Sequence, residues 1–407
     1  MKTLRLLAMT TSYPLRPGSC AGIFVQSLYR HLSAACAIEV VCPADSNPTE
    51  AVIGDNAASD IQIHAVRYAP KAWRTLAQGS GGVVTGLQRA PWKAILLPGL
   101  LLGLFWRCLL LASRADLIHA NWSVCGAMAG VVGRLRKKPV ITTLRGSDVA
   151  RSTRSMVDRW ILDLAVRNSR IVICVSEAMA ENLRAKYPQR SADIHACLNG
   201  ADDAFFQIDR KLSVDASLRV LAVGNLIRLK GFDVLVEAVA RARHRDQIHV
   251  WIVGGGPERE SLLSQAASRG VSSGFTFAGT LPATDMPKCF SAADIFVLSS
   301  RSEGRPNVVV EALASGLPVI STDLEGVQGM VNNGDNGWLI AVDDADALAA
   351  VLDQAVGNRT ELHRRGERAR AFARERIGTW ADTARCYEAL FQAALTTDER
   401  HRSSCAE

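Results

Sequence analysis

Three groups of residues in this 407-residue chain have the types and spacing for chemistry. The first is a pair of carboxylates eight positions apart, Glu303 and Glu311, in ADIFVLSSRSEGRPNVVVEALASGLPVISTD. The pattern predicts a buried strand from Ile295 to Leu298, a polar loop from Ser299 to Arg305, and a helix opening near Pro306 and Asn307. Gly316 then stops the helix before a second buried strand. The two acids read either as a loop charge and a solvated helix charge or, because Ala312, Leu313 and Ala314 follow Glu311, as a pair with Glu311 pointing along a cleft. The Gly304, Arg305, Pro306, Asn307 and Val308 stretch lies at a helix N-terminus, which favours a phosphate. The second group is Gly224, Asn225, Arg228, Lys230 and Gly231 in VGNLIRLKG. Two cations in a glycine-bounded loop are what a departing diphosphate requires, because its charge must be neutralised. The third group is His119 and Asn121 in LIHAN with Arg145 and Asp148 in TLRGSD, and each pair ends a predicted strand. A neutral imidazole accepts a proton and a guanidinium does not, so Arg145 can donate to an anion or hydroxyl but cannot act as a base.

These residues need a scaffold that brings loops to one edge. Strand–loop–helix units recur along the chain and predict a parallel, doubly wound α/β fold, whose ligands sit at the carboxyl ends of strands. At 407 residues, 48% of them hydrophobic, the chain is long enough for two cores. The polar stretch from Gln207 to Ser217 is the expected boundary, giving domains at 1–206 and 214–378, and the tail, 379–407, reads as an amphipathic helix with an apolar stripe at Trp380, Ala384, Tyr387, Leu390 and Phe391. Near the start, Gly18 and Gly22 precede an amphipathic helix and suit close approach of backbone to a phosphate or sugar.

Charge is unevenly spread. Residues 1–200 hold 24 Lys and Arg against 12 Asp and Glu, a net of +12, and residues 201–407 hold 23 against 28, a net of −5. With no nucleic-acid module or interleaving of aromatic and basic residues, the basic half points to an anionic bilayer or a lipid-phosphate acceptor. Ten cysteines without a C-x-x-C pair or metal-like cluster predict reduced, buried thiols and no metal site. MKTLRLLAMT reads as a first strand rather than a signal peptide. The apolar segment from Ala94 to Ala112 has an uninterrupted part of 13 residues that contains Pro98, too short to span a bilayer. It is either a core helix or a helix lying in the membrane interface, rimmed by Trp92, Trp106, Arg89, Lys93, Arg107 and Arg114.

SEGRPNVVVEALASGLPVIST resembles the E-x7-E motif of the retaining family 4 glycosyltransferases, which have the GT-B fold. VGNLIRLKG, LRGSD, LIHAN, CLNGADD and GGGP resemble further segments of that family in the same order, over nearly the whole chain. The resemblance implies two Rossmann-like domains facing a central cleft, with the last helix crossing back to the first domain. It implies a nucleotide-diphosphate sugar as co-substrate, a UDP-sugar ahead of a GDP-sugar, and no other cofactor. Glu303 would contact the sugar, Glu311 the ribose, and Lys230 with Arg228 the diphosphate. Gly22, Gly224 and Asn225 would lie on the donor side, and His119, Asn121, Arg145 and Asp148 on the acceptor side. Five positions depart from the family pattern: Asn121 and Arg145 stand where it has His, Asn225 where it has Arg, Glu325 where it has Gly and Gln328 where it has Pro. The implied role is sugar transfer to a lipid-linked or saccharide acceptor in bacterial exopolysaccharide, capsule or cell-wall polymer assembly, in the cytoplasm or peripheral on the inner membrane face. A nucleotide-sugar 2-epimerase and a catalytically silent binding module are the alternatives.

Overall fold

The computed structural model describes residues 3–15, 22–44, 61–76, 90–153, 155–210 and 217–404, together with 83, 86 and 87. Gly18, Arg89 and residues 211–216 of the expected boundary lie outside them. The chain forms two compact units, Met1–Leu198 with Trp380–Glu407, and Asn199–Thr379. The CLNGADD segment is thereby divided: Ala201 and Phe205 belong to the core of the second unit.

Each unit is built on one parallel sheet. The first has strands β1 (Leu4–Met9), β2 (Cys36–Pro43), β3 (Ile61–Val66), β4 (Leu117–Asn121), β5 (Val140–Leu144), β6 (Ile171–Cys174) and β7 (Ile194–Ala196) in the order β3-β2-β1-β4-β5-β6-β7. The alternation of strand side chains divides its core. Leu6 and Ala8 pack with Tyr29 and the last helix, while Leu7 and Met9 pack with the helices Leu97–Leu111 and Ser123–Arg136. The second has β8 (Leu218–Val223), β9 (Ile248–Val253), β10 (Phe275–Gly279), β11 (Ile295–Leu298), β12 (Val319–Thr322) and β13 (Gly337–Ile340) in the order β10-β9-β8-β11-β12-β13. Connections run outward in one direction from β8 and in the other from β11. The gap between the ends of these two strands is therefore the topological switch point of the sheet.

The final helix, Trp380–Ser404, is part of the first unit. It buries Trp380, Ala384, Tyr387, Phe391 and Ala394 there, with Leu390 partly buried. A disulfide joins Cys197, just past β7, to Cys386 on this helix. That corrects the expectation of thiols throughout: the two cysteines are 189 positions apart, and only the return of the last helix makes them neighbours. Cys36, Cys42, Cys108, Cys125, Cys174 and Cys289 are free and buried, as expected.

The apolar segment also differs from its expected form. Pro91–Leu111 is one continuous helix of 21 residues, long and apolar enough by length and composition to cross a membrane. Pro98 does not break it, because it falls in the first turn of the α-helical part, where no N–H is needed. One stripe, Leu96, Leu100, Leu104, Cys108 and Leu111, is buried against the sheet. The opposite stripe leaves Trp92, Ile95, Leu102, Trp106 and Leu110 each more than half exposed. The core reading holds for one face, and the other is an exposed apolar stripe.

Candidate active site

The loops after β8 and β11 meet at the switch point of the second unit. Gly231 makes this possible: its φ is +63°, and a Cβ there would stand 1.9 Å from the Ser299 carbonyl oxygen. Ser299 Oγ donates to the Lys230 carbonyl at 3.3 Å, and the Arg301 N–H donates to the Leu229 carbonyl at 2.8 Å. The Arg301 side chain finishes the join. It donates to the Arg228 carbonyl, pairs with Asp233 at 2.6 Å and with Asp343 at 2.7 Å.

Held this way, Lys230 Nζ lies 2.5 Å from Glu303 Oε1, and Ser300 Oγ donates to the same oxygen at 2.7 Å. The lysine and glutamate side chains are mostly shielded, 21% and 10% exposed. The cation and the acid thus satisfy each other. Arg228 lies in the same turn, exposed, and Asn225 is half-buried. Gly224 extends β8 through a hydrogen bond to the Val253 carbonyl. On the far side, Gly326 is pressed against the backbone of Glu303 and Gly304, where a Cβ would lie 2.4 Å from the Gly304 carbonyl oxygen.

The helix Asn307–Ala314 starts from Pro306, whose carbonyl accepts from the N–H groups of Val309 and Val310. Asn307 accepts at Oδ1 from Asn199 Nδ2 at 3.0 Å. One turn on, Glu311 has its pKa pushed up to about 8, first by burial and then by the charge of Asp202. Asp202 is held in place by capping the short helix Asp203–Phe206. A dehydrated acid beside another acid is an incomplete site, and hydroxyl donors arriving at Glu311 would favour its ionised form.

The first-unit candidates are arranged differently. His119, Asn121 and Asp148 are at most 1% exposed and Arg145 is 8% exposed. Asn121 Nδ2 donates to the Tyr29 hydroxyl at 2.8 Å, which therefore donates to His119 Nδ1 at 3.0 Å. His119 Nε2–H then donates to Thr143 Oγ1 at 2.8 Å, and that hydroxyl donates to Tyr387 at 3.2 Å. Burial, with the nearby Arg145 charge, lowers the His119 pKa to about 3 and keeps the ring neutral. His119 is thus enclosed on a central strand with both ring nitrogens hydrogen-bonded. Asp148 accepts from the backbone N–H groups of Ser123, Arg145 and Val149 and so joins the loops after β4 and β5. Arg145 Nη2 donates to Asn121 Oδ1 at 2.6 Å, and its guanidinium lies 4.8 Å from the Phe24 ring centre. The two departures from the family's histidines are therefore partners of each other. Gly22 begins the helix Ile23–Leu32.

Sequence reasoning passed over Arg301, Ser300, Asp202, Gly326 and Asn199. Asn199 and Asp202 carried a signal, both standing in the CLNGADD segment; the others acquire their roles from contacts between distant loops.

Two doubly wound parallel sheets, one in each unit, are the architecture of the GT-B glycosyltransferases. A model described as Glycosyltransferase Family 4 matches residues 21–205, and one described as Glycosyl transferases group 1 matches residues 205–372. The chain belongs to the family 4 glycosyltransferases. It is 33% identical over 217 residues to the lipopolysaccharide core biosynthesis glycosyltransferase LpsE of Rhizobium meliloti, covering 52% of this chain and 62% of that protein. It is 31% identical over 245 residues to the putative teichuronic acid biosynthesis glycosyltransferase TuaC of Bacillus subtilis, covering 58% of this chain and 60% of that one. The chain thus matches about three fifths of the length of each relative. The crystal structure of Anabaena HepE in complex with UDP shares the fold, with a TM-score of 0.73 and 20% identity over 96% of this chain and 100% of that one.

Proposed function

We propose that this protein is a retaining glycosyltransferase that moves a sugar from a nucleotide-diphosphate sugar, a UDP-sugar first, to a lipid-linked or saccharide acceptor in the assembly of a bacterial surface polysaccharide. The observation that carries this reading is the Lys230–Glu303 pair at 2.5 Å on the switch point. On donor binding, Lys230 turns to the diphosphate with Arg228 beside it, and Glu303 turns to the sugar hydroxyls. The Gly304 to Val308 stretch lines the sugar and phosphates, and Glu311 takes the ribose. The acceptor oxygen attacks C1 from the face that the diphosphate leaves. The C1–O bond to the β-phosphate breaks, and the acceptor's proton passes to the departing phosphate oxygen. Two cations at that oxygen lower the barrier by stabilising charge that develops only in the transition state. UDP in the HepE complex supports the choice of nucleotide.

The acceptor side is read as a membrane surface. The helices Pro91–Leu111, Ser123–Arg136 and Met156–Asn168 follow one another along the sheet and display Trp92, Trp106, Leu135, Met156 and Trp160, each more than half exposed. Arg107, Arg134, Arg136 and Arg159 are exposed among them. Large apolar groups interspersed with cations suit an anionic bilayer, and with it the inner face of the cytoplasmic membrane. The test of the proposed activity is release of nucleoside diphosphate from a panel of UDP-, GDP-, ADP- and dTDP-sugars, with and without a membrane lipid extract. Turnover of a donor into its epimer without any acceptor would replace the transferase by the 2-epimerase.

A further inference from the structure

In the loop that carries Glu303, the half-buried Arg305 has its Nε and Nη2 enclosed, and neither meets an acceptor among the described residues. Burial alone pulls its pKa down, to about 10. Other enclosed arginines of the same unit are occupied. Arg210 donates to the carbonyls of Ser315, Ala293 and Phe290, and Arg365 to Glu361 and the Gly337 carbonyl. Arg359 also has one unpartnered nitrogen, but its Nη1 reaches Asp294. A dehydrated, uncompensated cation works against folding, and an arriving oxyanion would remove the penalty through two parallel N–H donors.

The donor's diphosphate already has Lys230 and Arg228, from the loop after β8. Arg305 comes instead from the loop after β11, two residues beyond the acid read as the sugar contact. Resting on the transferase reading, we propose that Arg305 receives an oxyanion brought by one of the two substrates beside the sugar being transferred. That group is either the carboxylate of a uronic acid on the donor or the phosphate of a lipid-linked acceptor. Arg305 thus selects acidic over neutral substrates.

The test is calorimetric, on the full chain and on Arg305→Gln. UDP, UDP-glucose and UDP-glucuronate are titrated first, followed, with UDP bound, by octyl glucoside and a short-chain prenyl diphosphate glucose. In the parent, one of the two acidic ligands should bind at least tenfold tighter than its neutral counterpart. In Arg305→Gln that preference should shrink by tenfold or more relative to any change in affinity for UDP alone. The pair that shows the effect tells donor from acceptor. Equal affinity in both pairs, or a preference that survives the substitution, overturns the proposal. UDP that fails to bind the parent would sink the transferase reading and this inference with it. Arg305→Met separates a structural role: the ligand-free variant should melt higher than the parent, and a lower melting temperature would show that the guanidinium supports the fold, contrary to the proposal.

Discussion

At the scale of single residues, Glu311 is the group whose ionisation reports on the ligand. Empty, the site holds its pKa at about 8 against an ordinary 4.5, so it opposes ionisation and stability falls as pH climbs between those values. Ribose hydroxyls donating to the carboxylate reverse that preference, so UDP binding should release a proton and tighten as pH rises from 7 to 9. Below pH 8 the apparent affinity should weaken by up to about tenfold per unit. Titrations in buffers of different ionisation enthalpy measure both effects, Glu311→Gln should abolish them, and a parent affinity that is flat over this range would refute the role. Asn121 and Arg145 make a second residue-scale case. Arg145→Met alone strands Asn121 Oδ1 in the interior, at a cost of about 1–3 kcal/mol. With Asn121→Leu added, denaturant melts should show a coupling of about 1 kcal/mol or more. Additive losses would mean that the 2.6 Å contact is energetically idle.

Loops and strands set the geometry of the site. The strand from Ile295 to Leu298, the helix start at Asn307 and its stop by Gly316 were legible in the sequence, because Pro, Gly and the apolar runs mark them locally. That Lys230 and Glu303 stand in loops at strand ends was legible from the apolar runs before them. Their direct pairing across 73 positions was not. It depends on Arg301 and Gly231 joining two loops, and nothing in either segment signals its partner. The enclosure of His119 was hidden for a related reason: its motif marks a strand end, and only packing shows β4 buried along its whole length. The join at Gly231 can be tested against Gly270. Both have φ near +65° to +70°, but a Cβ at Gly270 meets nothing within 4 Å. Gly270→Ala should cost about 1 kcal/mol of stability and no activity. Gly231→Ala must push the loops apart, and a displacement of that kind lowers kcat/KM by about 100-fold. Equal activity in the two variants would show that the loop contact does not position Lys230.

Across the whole molecule, sequence periodicity captured both parallel sheets and the continuous apolar stripe of the last helix. The Cys197–Cys386 disulfide was invisible, because the last helix alone brings the two cysteines together. The apolar face of Pro91–Leu111 was half legible: composition showed a segment too greasy for a solvated helix, and only packing showed that one stripe is spent on the core. If the other stripe meets lipid, Trp92→Glu with Trp106→Glu should weaken binding to phosphatidylglycerol vesicles by about tenfold or more, since each indole loses a favourable burial of about 1 kcal/mol or more. UDP affinity should be unchanged. Sedimentation with vesicles decides it, and undiminished binding would remove this face from the account.

The most direct measurement of the central claim is nucleoside diphosphate release from a UDP-sugar in the presence of membrane lipid extract, for the parent, Lys230→Ala and Glu303→Ala. The Lys230–Glu303 site predicts release that depends on one donor, rises with the extract and falls by about 100-fold or more in either variant, the loss expected when a group acting on transition-state charge is removed. Release that persists in both variants, or no binding of any nucleotide sugar by the parent, would contradict it.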